Sequence, residues 1–196
     1  MWRIRTPNRR NLLTPKKSNP KKIVALIAAL NAAVWLGGAV FFTFVAGPAF
    51  FSPALEPILP KPEDGIAARY LIGKFTAFQI ACASIALGTM AIGWRWSARR
   101  FQVPQALVLG TVILLIVVSM VWIMPKLDAM HHAKYADYFG LNVTPEVQQA
   151  AAKQFGPLHG LSQVGNLLVL LGLLAQFILT LSLIHISEPT RLGMIS

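Results

Sequence analysis

The chain has 196 residues, of which 55% are hydrophobic and only 13% charged, and it carries a formal net charge of +11. That balance excludes an ordinary water-soluble domain, whose charged fraction is about a quarter. It also argues against nucleic-acid binding, because the positive charge is gathered in short segments flanking apolar stretches, and the basic N-terminal segment has no interleaved aromatic residue beyond Trp2.

Residues 1–22 form a basic arm with Arg3, Arg5, Arg9, Arg10, Lys16, Lys17, Lys21 and Lys22, expected to be disordered and cytoplasmic. The first apolar stretch follows from Ile23 to about Gly47. It is too long for the roughly 7–15 residue apolar core of a cleaved signal peptide, so it reads as an uncleaved anchor. A proline-rich connector comes next, with Pro48, Pro53, Pro57, Pro60 and Pro62 between Gly47 and Pro62. Proline removes backbone donors and fixes φ, which predicts a stiff, partly extended link.

The second stretch runs from about Leu71 to Trp94, with its helix starting near Ile66. Arg69 and Lys74 lie near its start, where they either snorkel to headgroups or face an anion inside the bundle. Arg95, Arg99 and Arg100 separate it from the third stretch, Pro104 to Met124. Residues 125–157 predict one or two short amphipathic helices, with Thr144-Pro145-Glu146 as a helix start and Gly156-Pro157 as a stop. The fourth stretch, Leu158 to about Thr180, is about 34 Å long at helical rise. Each of the four can cross a hydrocarbon core of about 30 Å. The fold class is therefore all-α, a polytopic four-transmembrane-helix bundle. Strands are disfavoured because these runs far exceed barrel strands.

Lysine and arginine concentrate before the first span and between the second and third. By the positive-inside rule both termini are cytoplasmic, in what is expected to be the inner membrane of a bacterium. The lone cysteine, Cys82, lies mid-span and rules out an intramolecular disulfide. Gly73, Ala77 and Ala81 on the second span, continued by Ser84 and Gly88, and Ala29, Ala33 and Gly37 on the first, have the spacing of close helix contacts.

Polar residues inside the spans are the candidate functional groups. His159, Gln163 and Asn166 share one side of the fourth helix with Ser162 beside them. Asn31 and Gln79 are their expected partners on the first and second spans. This set is either interhelical glue or an intramembrane polar site. His131, His132 and Asp128 follow the third span and, with His159, are the residues that would ligate zinc or copper. Adjacent helical residues point about 100° apart, so His131 and His132 cannot both share a site with Asp128. The expectation is accordingly no metal and no cofactor. No nucleophile with a base is visible, so no enzyme is expected. The expected partners are the lipid bilayer, anionic lipids at the basic arm, and another copy of the chain.

The run Gly37 to Phe50, Pro125, and Phe155-Gly156-Pro157-Leu158-His159-Gly160-Leu161-Ser162 through Asn166 resembles the transmembrane-protein-205-like family. The resemblance spans roughly Ile23 to Thr180 and implies a four-span membrane domain of unknown function. Gly37, Pro48, Pro125, Phe155, His159, Ser162 and Asn166 carry it. The segment Leu181 to Arg191 resembles the translated transposase adapter of DNA sequencing libraries. That likeness implies that residues 181–196 are non-native and that the natural C-terminus is missing. Two functions stay open: a non-enzymatic scaffold or lipid- or protein-interacting bundle, and a small transporter or metal-handling protein.

Overall fold

A computed structural model describes residues 19–95 and 99–186. The basic arm before Asn19 and the last residues after Ile186 lie outside the described residues. Four long helices account for most of the rest, each long and apolar enough to cross a membrane. Helix α1 spans Pro20–Ala49. Asn19 caps it by accepting from the Lys21 N–H at 3.1 Å, with Pro20 at the first helical position, where a missing N–H costs nothing. Lys21 and Lys22 thus belong to a helical turn rather than to the arm.

Helix α2 spans Glu63–Gly93, with Glu63 and Asp64 in its first turn. Helix α3 runs as Arg99–Val118, Ser119–Ile123 and Met124–Lys134. Helix α4 spans Pro145–Ile186. The segment 125–157 is thus largely helical, yet its helices prolong the third and fourth spans instead of lying apart. Gly156-Pro157 does not stop α4, because a proline removes one backbone bond and the rest of the turn carries the helix through. The link after α1 is also more compact than the extended connector predicted. Consecutive turns close it, with Leu55 N–H donating to Ser52 O at 3.0 Å and Leu59 N–H to Leu55 O at 2.7 Å.

Two of these helices widen before a proline. Residues Phe42–Ala46 and Ser119–Ile123 are π-helical. In each, the residue just before the proline donates five positions back: Gly47 to Phe42 O, ahead of Pro48, and Met124 to Ser119 O, ahead of Pro125. The extra residue relieves the clash between the proline ring and the preceding turn.

Helix α1 packs against α2 and α4, and α4 packs against α3 along its length. The ring of contacts is weakest at the seam between α2 and α3. The core of Trp35, Ala39, Cys82, Leu109, Val112, Ile116, Val169 and Leu173 sits where all four helices meet. Phe42 stacks on Phe75 with centroids 4.1 Å apart, joining α1 to α2.

The small-residue spacings do not mark the contacts. Gly73, Ala77 and Ala81 are exposed, as are Ser84, Gly88, Ala33 and Gly37. The glycines at close approaches between helices are Gly38, which faces the Phe78 ring, Gly65, which faces the His131 imidazole, and Gly172, which faces Val112. Four-residue spacing places small residues on one face, but the bulky residues of the partner decide which face packs.

Candidate functional site

The connections 50–62 and 135–144 lie at one end of the bundle, hereafter the loop end. There the facing sides of α2 and α3, the first half of α4 and the end of α1 enclose a cavity of about 650 Å³. Its size is that of a small-ligand pocket. Gln79, sixteen residues into α2, lines it, so it reaches about 24 Å along the helix axis from Glu63. Ile66 and Met120 line it while 41% and 42% exposed, which leaves it open to the surroundings of the bundle.

The lining changes along its length. Toward the bundle centre it is apolar, with Ile72, Phe75, Leu115, Ile116 and Val169, interrupted by Thr76, Gln79, Ser119 and Asn166. At the loop end it is charged and aromatic. Lys61, Asp64, Arg69, Asp128, His131, His132 and Lys134 converge there with Tyr135, Phe139, Phe155 and His159. Both π-helical segments reach the wall, through Phe42 on α1 and through Ser119 and Met120 on α3.

The groups in this mouth hold one another. Arg69 forms an ion pair with Asp128, tying α2 to α3 across their weak seam. His132 Nδ1 lies 2.9 Å from the Asp128 carbonyl and 3.4 Å from its carboxylate. His131 instead turns to α2, where its imidazole packs against Gly65. The two adjacent histidines diverge as helical geometry requires. Among the described residues, no three His, Cys, Asp or Glu side chains gather closely enough to hold a metal ion. Aromatic rings fill the spaces between: His132 against Phe139 at 4.3 Å, His131 against Tyr135 at 5.1 Å, and Phe155 stacked on His159 at 5.8 Å. Beyond α3, the Glu63 carboxylate at the start of α2 is near enough to the Tyr138 phenol to push its pKa up.

The fourth-span polar face does enter the cavity, though with other partners than expected. His159, Ser162, Gln163 and Asn166 all line it, as does Gln79. Gln163 Nε2 and His159 Nε2 are 3.2 Å apart on successive turns. Asn166 Nδ2 donates to Thr43 Oγ1 at 2.9 Å, inside the π-helical segment of α1. Asn31 stands apart from the cavity and donates to the Cys82 carbonyl at 2.9 Å, where it joins α1 to α2. The expected network between Asn31 and the fourth span therefore does not form.

The transporter or metal-handling reading of the sequence sets His159, Gln163 and Asn166 within the bundle and His131, His132 and Asp128 at its outer mouth; in the fold all six line one cavity. Arg69 belongs to the same cavity through its ion pair. A second polar cluster was missed. Gln105 Nε2 donates to Thr180 Oγ1 at 3.2 Å and Thr180 to the Gln176 carbonyl at 2.8 Å, all three residues buried between α3 and α4. The signal was a glutamine on each of two facing spans, at positions that read only as breaks in apolar runs.

Truncation of Asn166 removes a bond made partly inside the bundle. Such bonds in membrane proteins contribute about 0.6 kcal/mol on average and about 1.7 at most. Asn166→Ala is expected to destabilise by that order in detergent unfolding. Combined with Thr43→Val it should be less than additive; full additivity would mean the two side chains do not interact.

The family described as "Domain of unknown function (DUF4149)" matches residues 30–136. The chain belongs to it. The DUF4149 match covers more than half the sequence, from α1 through the end of α3, and so includes both π-helical segments, Arg69, Asp128, His131 and His132. The α4 wall of the cavity lies beyond it. No curated protein and no solved structure matches the chain. Four apolar helices in a DUF4149 chain make it an integral membrane protein.

Proposed function

We propose that this protein is a non-enzymatic, amphiphile-binding four-helix bundle, taking up a lipid-like molecule in the leaflet facing its loop end. One observation carries the reading. The cavity is apolar toward the bundle centre, charged and aromatic at its mouth, and bounded by the seam where α2 and α3 pack least. A tail held at depth and a polar head at the mouth match that gradient.

Depth supports the reading. Lys74 lies over the Tyr70 ring at 5.1 Å on α2, and Lys126 over the Trp122 ring at 4.1 Å on α3. Exposed aromatic and lysine pairs of this kind favour the headgroup level. The charged mouth, formed by residues nearer the loop end, then sits among headgroups while the apolar part lies in hydrocarbon.

The loop end is proposed to face away from the cytoplasm of a bacterial inner membrane, with both termini cytoplasmic. Lys21, Lys22, Arg95, Arg99 and Arg100 at the opposite end support this by the positive-inside rule. Kinship with the transmembrane-protein-205-like family is part of the proposal. Its support is the run from Phe155 to Asn166, whose Phe155, His159, Ser162 and Asn166 line the cavity.

The test is photolabelling of the purified protein in detergent micelles by a diacyl lipid carrying a diazirine in its tail. Label is expected on α2, α3 and α4 residues of the cavity, and excess unlabelled lipid should suppress it. Ser162→Phe places a ring in the space and should remove most of the suppressible label. Labelling that is uniform over the lipid-facing surface, or unchanged in Ser162→Phe, would sink the reading.

A further inference from the structure

We propose that the mouth of the cavity is an oxyanion site in which Lys61 and Lys134 hold the phosphate of an anionic lipid headgroup. The inference rests on the amphiphile reading and adds the chemical class of the head. Three cations, Lys61, Arg69 and Lys134, line the mouth against two carboxylates, Asp64 and Asp128.

Both carboxylates are already engaged by the protein. Asp128 pairs with Arg69 and lies beside His132. Asp64 is 8% exposed, and its Oδ1 accepts the Gly65 N–H at 2.6 Å. Arg69 is in turn held by Asp128. Among the described residues, neither Lys61 nor Lys134 pairs with a carboxylate, so their charge is what the mouth presents to a ligand. Lys134 is also held in place. Its Nζ lies 4.9 Å from the Tyr135 ring centre and 5.5 Å from that of Phe155. These ring contacts hold the ammonium without using up its charge, which remains to meet a phosphate oxygen.

The same rings argue against a choline-type head. Aromatic cages bind quaternary ammonium groups by their faces. Here the faces of Tyr135 and Phe155 already carry the Lys134 ammonium, and a second cation would meet its repulsion. The imidazoles of His131, His132 and His159 add N–H groups that can donate to an oxyanion and serve a cation poorly.

Binding would be measured on the full chain in dodecyl maltoside micelles with three lipids of identical dioleoyl tails: phosphatidylglycerol, phosphatidylcholine and diacylglycerol. Free glycerol phosphate is the fourth probe. Phosphatidylglycerol is expected to bind about tenfold tighter than the other two, the scale of one or two charge-assisted hydrogen bonds. The Lys61→Gln, Lys134→Gln double variant should lose that preference and still bind all three lipids through their tails. Lys153→Gln, exposed on α4 and outside the cavity, should keep it. A folded double variant is confirmed by an unchanged circular-dichroism melting curve.

Equal affinity for the three lipids overturns the headgroup assignment and leaves the amphiphile reading standing. Binding of none of them overturns both. A preference that survives in the double variant removes Lys61 and Lys134 from the site. Glycerol phosphate binding as tightly as the lipid would reassign the site to a soluble phosphate and overturn the lipid assignment.

Discussion

Trp35→Ala is expected to lower stability on the order of 2–3 kcal/mol, with Trp35→Phe costing far less. Trp35 is the largest fully buried side chain, 1% exposed where α1 meets the core residues of the other three helices. In soluble cores such truncations cost about 3–5 kcal/mol. A bilayer removes part of that, because the unfolded reference also keeps its side chains in hydrocarbon and only the packing loss remains. The indole Nε1 is buried without a hydrogen-bond partner, as is Gln176 Oε1 on α4. Phenylalanine keeps most of the ring contacts and deletes the unpaired donor, whose burial is itself unfavourable. Unfolding both variants in mixed micelles with increasing dodecyl sulfate would separate the two contributions. If Trp35→Phe is as damaging as Trp35→Ala, the N–H does have an acceptor and the packing account fails.

A single methyl at Gly172 should be nearly as damaging as a large truncation elsewhere. A Cβ built there meets Val112 Cγ2 at 2.5 Å, and Val112 is 1% exposed. Valine in a helix has one strongly preferred rotamer, so it cannot swing aside. The helices must separate instead, and Gly172→Ala is expected to cost about 1–3 kcal/mol. Gly88→Ala is the counterpart. Gly88 has nothing within 4 Å of its built Cβ. There the higher helix propensity of alanine, worth up to about 1 kcal/mol, should leave stability unchanged or raised. The pair also decides between the two readings of small residues. Destabilisation at Gly88 with tolerance at Gly172 would restore the spacing rule and contradict the packing seen between α3 and α4.

The π-helical segments show how local chemistry reaches the site. Pro48 and Pro125 stand out in the sequence as breaks at the ends of spans. The helix runs on for nine residues past Pro125, whereas α1 stops at Ala49, one residue past Pro48. Each is accommodated by a widened turn just before it, and those turns contribute Phe42, Ser119 and Met120 to the cavity wall. Thr43, which receives the Asn166 hydrogen bond, sits in the first of them. A proline is legible in a sequence; whether a helix stops at it or bulges around it depends on what packs on either side.

Sequence alone determined the class and its number of spans, because a hydrocarbon core admits only segments that satisfy their own backbone, and four runs here are long and apolar enough to do so. It also found most of the cavity's polar residues, since His159, Gln163 and Asn166 interrupt an apolar helix where polarity is costly. It could not find their partners. Helical periodicity fixes which residues share a face, but the rotation of each helix about its own axis follows from contacts between chain segments far apart. Those contacts sent Asn166 to Thr43, Asn31 to the Cys82 carbonyl and Arg69 to Asp128. They brought Gly38 and Gly172 rather than Gly37 and Gly73 up against a neighbouring helix, and they left the α2–α3 seam loose enough to hold a cavity. Only the tertiary structure, by joining the outer ends of α2 and α3 to the first half of α4, gave those polar residues a shared cavity and brought Arg69 into it.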